Sequence, residues 1–235
     1  MKTWLVPGRR KPGRYGGCRK QSGDSQPEEQ FEHSWDVREA LRTRTLWLLI
    51  AGAFLASIST GGIAFHLVAY YTDVSIEPTI AAGALSLMAL SGALGNGIWG
   101  TLAERVNPRA LSIFTMCLSA AAVALLTQVE IPATAYLFAV LFGTNARVSA
   151  VLMQILTARY YGRRSYGAIS SLLEPFHKGG LGLGALFAGF AYDFAGNYQM
   201  IFALFLACYL VSAFTVFLAR PPALKSPMDS AATAR

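Results

Sequence analysis

Charged residues are scarce in this sequence. Asp, Glu, Lys and Arg make up 14% of its 235 residues, whereas hydrophobic residues make up 54%. An ordinary soluble domain has about 25% charged residues. The scarcity therefore excludes most soluble classes and predicts that the lipid bilayer surrounds most of the chain.

Signatures of catalysis and metal binding are also missing. The sequence has no G-x-S-x-G and no H-E-x-x-H, and Cys18, Cys117 and Cys208 have no metal or redox spacing. Cys117 and Cys208 fall in apolar runs, so we expect buried packing residues there. Glu174 and His177 have ligand-like i, i+3 spacing, but no second Glu-x-x-His completes a dimetal site. We expect no metal and no cofactor, and an intramembrane enzyme is the weakest alternative.

Three glycines form an apparent nucleotide-binding fingerprint. Gly95, Gly97 and Gly100 fit G-x-G-x-x-G, but that motif needs a preceding strand and a following helix. Here it ends an apolar run, where glycines favour close contact between membrane helices. We interpret these three glycines, and Gly180 and Gly184 farther along, as packing residues.

Long apolar runs supply the fold prediction. A helix that crosses a bilayer needs about 20 mostly apolar residues. The sequence has such runs at 46–71, 79–102, 110–128, 132–157, 167–192 and 198–219. It therefore predicts an all-α membrane protein with six transmembrane helices over residues 46–219.

The segments outside this bundle differ in composition. Residues 1–32 are rich in Pro, Gly, Arg and Ser, so we expect a disordered or non-native N-terminal segment on the cytoplasmic side. They lack the apolar core of a cleavable signal, so the run at 46–71 should serve as the insertion signal. Residues 33–45 predict a short cytoplasmic surface helix capped by Ser34, and residues 220–235 predict a cytoplasmic tail.

Basic residues near the helix ends predict the orientation. Lys and Arg near helix ends stay on the cytoplasmic side, and here they occur on one side only. They are Arg38, Arg42, Arg44, Arg105, Arg109, Arg159, Arg163, Arg164, Arg220 and Lys225. The sequence thus predicts a multi-pass protein of the plasma or inner membrane with both termini cytoplasmic. The net charge of +7 follows from this topology, and no nucleic-acid partner is expected.

The loop after the second run carries a recognisable pattern. The string GTLAERVNPR places Gly100, Glu104, Arg105 and Arg109 in a tight turn between two spans. This turn resembles the second copy of the signature loop of the major facilitator superfamily, with Glu104 in place of the usual aspartate. The resemblance implies a conformational latch whose charges pair with neighbouring helix ends in one access state. The alternative is a basic turn without a moving part.

Further strings extend the resemblance from about His33 to Arg220. ARYYGRRSYGAISSLL is similar to the loop between the tenth and eleventh helices of such transporters, and SWDVREALRTRTLWLL to their central loop. FAGFAYDFAGNYQMIF resembles the turn into the twelfth helix. The chain thus resembles the C-terminal six-helix half, nearest to the monocarboxylate and oxalate-formate branch. This implies transport of a small solute, and places the third and sixth spans against lipid.

The resemblance covers one half of a transporter whose substrate site is shared by two halves. One possibility is that the chain works with a missing N-terminal half or by self-association. The other possibility is that it is a truncated, nonfunctional fragment. Both stay open at the level of sequence.

Formal charges inside the predicted spans supply the site prediction. They are Arg147, Glu174 and Lys178. Each unpaired charge at the bilayer centre costs about 2.5 to 3.5 kcal/mol, so these side chains need partners or water. Glu174 and Lys178 are one helical turn apart in the favourable order, and His177 adjoins both.

Two positive charges against one negative charge favour an anion as the missing partner. We expect Lys178 and Arg147 to bind a small carboxylate, with Glu174 or His177 adjusting local charge or carrying a coupling proton. The alternative is that Arg147 pairs with Glu174 while Lys178 extends to water.

The resemblance favours the functional alternative. In the oxalate-formate branch a lysine followed by glycine on the eleventh helix contacts substrate carboxylate, and Lys178-Gly179 is similar in place. That branch also uses an arginine on the eighth helix, which residues 79–102 lack. Either Arg147 substitutes for it, or the substrate differs.

Three other residues stand out in the spans. His66 and Asn96 are polar residues near span ends, which we interpret as hydrogen-bonding partners between helices. Pro175 predicts a kink in the fifth span, because proline removes a backbone hydrogen bond.

Overall fold

The computed structural model describes residues 35, 37–129, 131–146, 148–162 and 165–222. All of them belong to the unit Glu32–Arg235. The predicted segment 1–32 and most of the predicted tail lie outside the described residues, as does Arg147.

The described residues form helices and no strands. The helices are α1 (Val37–Leu41), α2 (Arg44–Asp73), α3 (Pro78–Arg105), α4 (Pro108–Leu126), α5 (Pro132–Ala146), α6 (Val148–Tyr161), α7 (Tyr166–Ala195) and α8 (Gln199–Leu218). The predicted all-α fold class is confirmed. The helix α1 lies within the segment 33–45 for which a surface helix was predicted.

Five helical segments of the described chain are long and apolar enough to cross a membrane. They are α2, α3, α4, α8 and the stretch Pro132–Tyr161, which includes α5 and α6. The helix α7 is not among them, although its 30 residues would extend about 45 Å. Its polar residues Glu174, His177 and Lys178 lower its apolar character and set it apart from the other long helices.

Residues at the helix ends explain where the helices begin and stop. Proline occupies the first position of α3, α4 and α5, where its missing N–H costs nothing. The side chain of Asn107 caps α4 by accepting a hydrogen bond of 3.0 Å from the Arg109 N–H. At the other end of α7, Gly196 has a φ of 65°, the left-handed conformation that favours glycine after a helix.

The contact between α2 and α7 is the most extensive in the bundle, and glycines make it close. A Cβ at Gly180 would lie 2.9 Å from the Phe54 carbonyl oxygen, and one at Gly184 would overlap the Ile58 carbonyl oxygen. A Cβ at Gly61 would overlap the Leu181 carbonyl oxygen. The predicted packing role of Gly180 and Gly184 is therefore confirmed.

The glycines of the apparent fingerprint differ from one another. A Cβ at Gly95 would lie 2.6 Å from the Thr144 carbonyl oxygen, so this glycine brings α3 close to α5. At Gly97 and Gly100 a Cβ would have no atom of the described chain within 4 Å. The packing prediction is wrong for Gly97 and Gly100, because no neighbouring helix of the described chain closely approaches either position.

The expectation of buried cysteines also needs correction. Cys117 on α4 is exposed, and Cys208 on α8 is half-buried. An apolar run predicts a membrane helix but does not tell which of its faces meets other helices. Cys18 lies outside the described residues.

Tyrosine hydroxyls connect helices near both ends of the bundle. Tyr70 of α2 donates a hydrogen bond of 2.8 Å to the Leu126 carbonyl at the end of α4. At the opposite end, Tyr160 of α6 donates one of 3.1 Å to the Ala219 carbonyl after α8. These bonds satisfy terminal carbonyls that have no partner within their own helix.

Candidate functional site

Glu174 joins two helices through its two carboxylate oxygens. Its Oε1 accepts a hydrogen bond of 3.1 Å from Nε2 of Gln154 on α6. Its Oε2 lies 4.0 Å from Nζ of Lys178, one turn farther along α7. The predicted i, i+4 pair is present, but a separation of 4.0 Å makes it a loose ion pair. The carboxylate therefore compensates the lysine only in part.

Lys178 lies on the open face of α7. Its side chain is 71% exposed, whereas that of Glu174 is 44% exposed. Other exposed residues recur on this face at helical spacing: Ser171, Pro175, Gly179, Gly182, Leu183, Leu186 and Phe190. The midpoint of α7 falls between residues 180 and 181, so Lys178 lies about 4 Å from it along the axis.

His177 points to the other side of α7. Its Nδ1 is buried and has no hydrogen-bond partner among the described residues. The side chain lines a cavity of about 30 Å³ between α2, α4, α6 and α7. Other polar residues of the lining are Ser57, Ser149, Gln154 and Glu174.

The size of this cavity limits what it can hold. About 10 to 15 Å³ of such volume accommodates one water molecule, so the cavity has room for about two. Lys178 does not line this cavity. An anion that approached Lys178 would have to come from the open face of α7.

Arg147, the second predicted anion-binding residue, lies between α5 and α6 and outside the described residues. Its role stays a prediction, and so does the alternative that it pairs with Glu174. The described part of the chain brings together Glu174, His177 and Lys178 with Gln154.

One residue of the predicted latch loop, Arg109, contacts the end of a neighbouring helix. Arg109 donates a hydrogen bond of 3.3 Å from Nε to the Val216 carbonyl, and a second one from Nη2 to the Phe217 carbonyl. Its guanidinium also lies 5.8 Å from the centre of the Phe217 ring. Arg109 thus caps the last turn of α8, where a positive charge complements the helix dipole.

The other latch residues make no such contact with a helix end of the described chain. Glu104 and Arg105 are exposed, and neither forms an ion pair with another described residue. Gly100 is half-buried with open space beside it. The contact between a loop charge and a neighbouring helix end therefore occurs at Arg109.

His66 and Asn96, the polar residues near span ends, have different environments. His66 contacts the Ala185 carbonyl through Nε2 at 3.0 Å and the Tyr198 hydroxyl through Nδ1 at 3.3 Å. It links α2 to α7 and to the start of α8, as expected of a residue that connects helices. Asn96 is exposed and makes no hydrogen bond to a described residue, so the expectation was wrong for it.

Sequence reasoning missed Gln154, Ser57 and Ser149. It counted formal charges within the apolar runs and passed over neutral polar side chains. An amide in an apolar run is also costly to bury without a partner, so Gln154 carried a signal that could have been used. The two serines carried none, because serine is common in membrane helices and often bonds to its own helix.

Comparison with known families identifies the bundle. The five helical segments of the described chain that are long and apolar enough to cross a membrane indicate a multi-pass membrane protein. The family model of the Major Facilitator Superfamily matches residues 49–233, which is 185 of the 235 residues. The chain belongs to this superfamily, and its fold corresponds to one half of a major-facilitator bundle. No curated protein matches the chain significantly.

Membership sets the general activity. The superfamily consists of secondary transporters of small solutes and is not a family of enzymes. The chain is thus a membrane transport protein by family. Its substrate and its mode of assembly do not follow from membership.

Proposed function

We propose that this chain forms the C-terminal half of a secondary transporter for a small organic anion, with Lys178 and Arg147 as the positive groups of the site. The observation that carries the proposal is the environment of Lys178. Its side chain lies near the middle of α7 and is 71% exposed, and its ammonium has Glu174 as a partner only at 4.0 Å.

The energetic argument concerns what this face of α7 meets. A lysine at the bilayer centre costs about 2.5 to 3.5 kcal/mol if it meets lipid. That cost disappears if the face lines a water-filled pathway. Transporter sites of this kind lie near the midplane, at the interface of two repeats. A lysine in such a pathway supplies a positive charge with three hydrogen-bond donors for a carboxylate.

The resemblance to the monocarboxylate and oxalate-formate branch supports a carboxylate as the anion. Lys178-Gly179 is similar in place to the lysine-glycine pair that contacts carboxylate in that branch. The described residues of α3 contain no arginine in the span, so Arg147 takes the second positive role in this proposal.

The proposal includes a second six-helix unit. The open face of α7 needs a partner to enclose a pathway, and this partner is either a separate N-terminal half or a second copy of the chain. Both termini then lie on the cytoplasmic side of the cell membrane, as the basic loops favour.

Anion binding by the purified full chain tests the proposal. Acetate and acetamide have similar shapes but differ in charge, so a thermal shift with acetate and not with acetamide would indicate a charge-dependent site. Lys178→Gln should weaken acetate binding about tenfold to hundredfold, the effect of one lost charged hydrogen bond. Arg42→Gln, which removes an exposed charge outside the spans, should leave binding unchanged.

Uptake of labelled acetate into vesicles extends the test to transport. Uptake by wild type that Lys178→Gln abolishes would support the proposed function. A folded chain that binds and transports no carboxylate, alone or with an N-terminal half, would favour the truncated, nonfunctional fragment. Binding that is equal in wild type, Lys178→Gln and Arg147→Gln would contradict the assigned site.

A further inference from the structure

The short helix α1 has one side fixed to the bundle. Ala40 on this side is fully buried, and Trp35, just before the helix, is only 8% exposed. The Trp35 N–H donates a hydrogen bond of 3.3 Å to the Tyr161 carbonyl at the end of α6. The two rings meet edge to face, with their centroids 6.0 Å apart. These contacts hold α1 against the end of α6.

Thr43 links the other end of α1 to the same tyrosine. Its hydroxyl donates a hydrogen bond of 2.6 Å to the Ala40 carbonyl. The Tyr161 hydroxyl is therefore the donor in the bond of 2.7 Å that joins the Tyr161 and Thr43 side chains. The same Thr43 oxygen caps α2 by accepting a bond of 3.4 Å from the Leu46 N–H. The passage from α1 into α2 is thus also tied to α6.

The opposite side of α1 is basic and exposed. Arg38 and Arg42 lie one helical turn apart, and Arg44 begins α2; all three are exposed. None of them forms an ion pair with another described residue. Glu39 is also exposed, so three positive charges and one negative charge leave a net charge of +2 over residues 37–44.

Two apolar side chains accompany these arginines. Leu41 is 36% exposed, and Trp47 on the first turn of α2 is 52% exposed. The indole N–H of Trp47 donates a hydrogen bond of 3.0 Å to the Leu41 carbonyl, which holds the ring beside the end of α1. Tryptophan is enriched where a membrane meets water, because its ring is apolar and its N–H is polar.

The chemistry of this surface fits the headgroup region of a membrane. Arginine binds phosphate through its charge and its paired N–H donors. The helix α2 is one of those able to cross a membrane, and it begins at Arg44, so lipid headgroups surround this part of the chain. A soluble anion would contact the arginines but would leave Leu41 and Trp47 in water.

We propose that Arg38, Leu41, Arg42, Arg44 and Trp47 form a docking surface for an anionic lipid leaflet, named here the α1 surface. The arginines contact lipid phosphates, and the two apolar side chains lie at the top of the acyl chains. A leaflet with negative lipids attracts basic residues beside a membrane helix within about a Debye length. Docking breaks no ion pair of the described chain, since these arginines have none there.

Docking at the α1 surface has a consequence for α6. Trp35 and Thr43 connect α1 to Tyr161, so a leaflet that holds α1 also holds the last turn of α6. A ligand that binds the docked form of α1 and not its detached form stabilises the docked form. The lipid composition therefore controls how firmly the end of α6 is held, at the point where the chain turns toward α7.

Hydrogen exchange of the full chain in lipid nanodiscs tests the α1 surface. The two conditions are phosphatidylcholine alone and equal parts of phosphatidylcholine and phosphatidylglycerol. Exchange at residues 37–43 should be about fivefold slower or more with the anionic lipid, the effect of one arginine near such a leaflet. Residues 159–162 should also slow, whereas the turn at residues 74–77, at the other end of α2, should not.

Paired variants separate this surface from the total charge of the chain. Arg38→Gln/Arg42→Gln should remove most of the difference between the two lipids, and Arg38→Lys/Arg42→Lys should keep it. The control Arg105→Gln/Arg220→Gln removes two exposed charges at other helix ends and should also keep it. Raising the salt from about 0.1 M to about 1 M should shrink the difference, because the attraction is screened.

Trp35→Ala tests the connection to α6. The arginines remain in this variant, so the anionic lipid should still slow exchange at residues 37–43. Exchange at residues 159–162 should no longer depend on the lipid, because the ring contact with Tyr161 is lost. A dependence at residues 159–162 as large as that of wild type would overturn the connection.

Three results would overturn the α1 surface itself. They are equal exchange of residues 37–43 in the two lipids, an equal loss of the difference in the control pair, and slowing by soluble glycerol phosphate in phosphatidylcholine nanodiscs. The last result would identify a free phosphate as the ligand. Thermal unfolding shows whether each variant is folded, and acetate binding at Lys178 is a separate measurement that none of these outcomes decides.

Discussion

The amide of Gln154 and the carboxylate of Glu174 form the hydrogen bond, 3.1 Å long, that joins the polar middle of α6 to that of α7. The contact between these two helices is much smaller than that between α2 and α7. This single hydrogen bond therefore contributes a large share of the interaction that keeps α6 and α7 in register.

Gln154→Leu should lower the free energy of unfolding by about 0.6 to 1.7 kcal/mol, the range for hydrogen bonds between membrane helices. Thermal unfolding of the purified protein, or its unfolding in a denaturing detergent, measures the loss. Gln128→Leu is the matched control, since Gln128 is exposed in the turn after α4. Equal stability of the two variants would show that the bond contributes nothing.

Gly184→Ala should destabilise the bundle by about 1 to 3 kcal/mol, because its Cβ would overlap the Ile58 carbonyl oxygen. The control is Gly182→Ala on the same helix, where a Cβ has no atom of the described chain within 4 Å. That change should stabilise the helix by roughly 0.5 to 1 kcal/mol through helix propensity. Thermal unfolding compares them, and a stable Gly184→Ala protein would contradict the close packing of α2 on α7.

Arg109→Gln should loosen the last turn of α8 by removing two hydrogen bonds to its carbonyl groups. Hydrogen exchange of the amides in residues 214–219 should become faster, while that at the start of α8 stays unchanged. Arg109→Lys should restore the turn only in part, because an ammonium cannot form the same planar fork. Unchanged exchange in Arg109→Gln would show that this arginine does not cap α8.

Single cysteines test the predicted orientation. Cysteine at Glu77 or Asn197 should react with an impermeant thiol reagent outside intact cells, and cysteine at Asn107 or Ser165 should not. The native cysteines must first be replaced, above all Cys117, which is exposed on α4. Labelling of position 107 or 165 from outside would reverse the orientation that the basic loops predict.

Much of the fold could be predicted because a helix that crosses a membrane needs a continuous apolar run, which is visible in the sequence. Apolar runs of about 20 residues show where helices cross, whatever their neighbours are. The pairing of Glu174 with Lys178 was predictable for the same reason, since it depends only on spacing within one helix.

Contacts between helices were harder to predict, as the exposed Cys117 shows. The face that a residue presents depends on how each helix is rotated, and apolar faces look alike whether they meet lipid or protein. The cavity beside His177 needs residues from four helices, with Ser57 and His177 lying 120 positions apart in the chain. No local sequence pattern predicts that these residues of four helices lie around one cavity.

The glycine contact between α2 and α7 also has a consequence for synthesis of the protein. Gly61 and Gly184 are 123 residues apart, and a ribosome adds about 5 to 20 residues per second. The surface of α2 around Gly61 therefore lies in the membrane for about 6 to 25 s before the ribosome has synthesised the contacting part of α7. During that interval another membrane helix or the insertion machinery can occupy the surface, and α7 must then displace it.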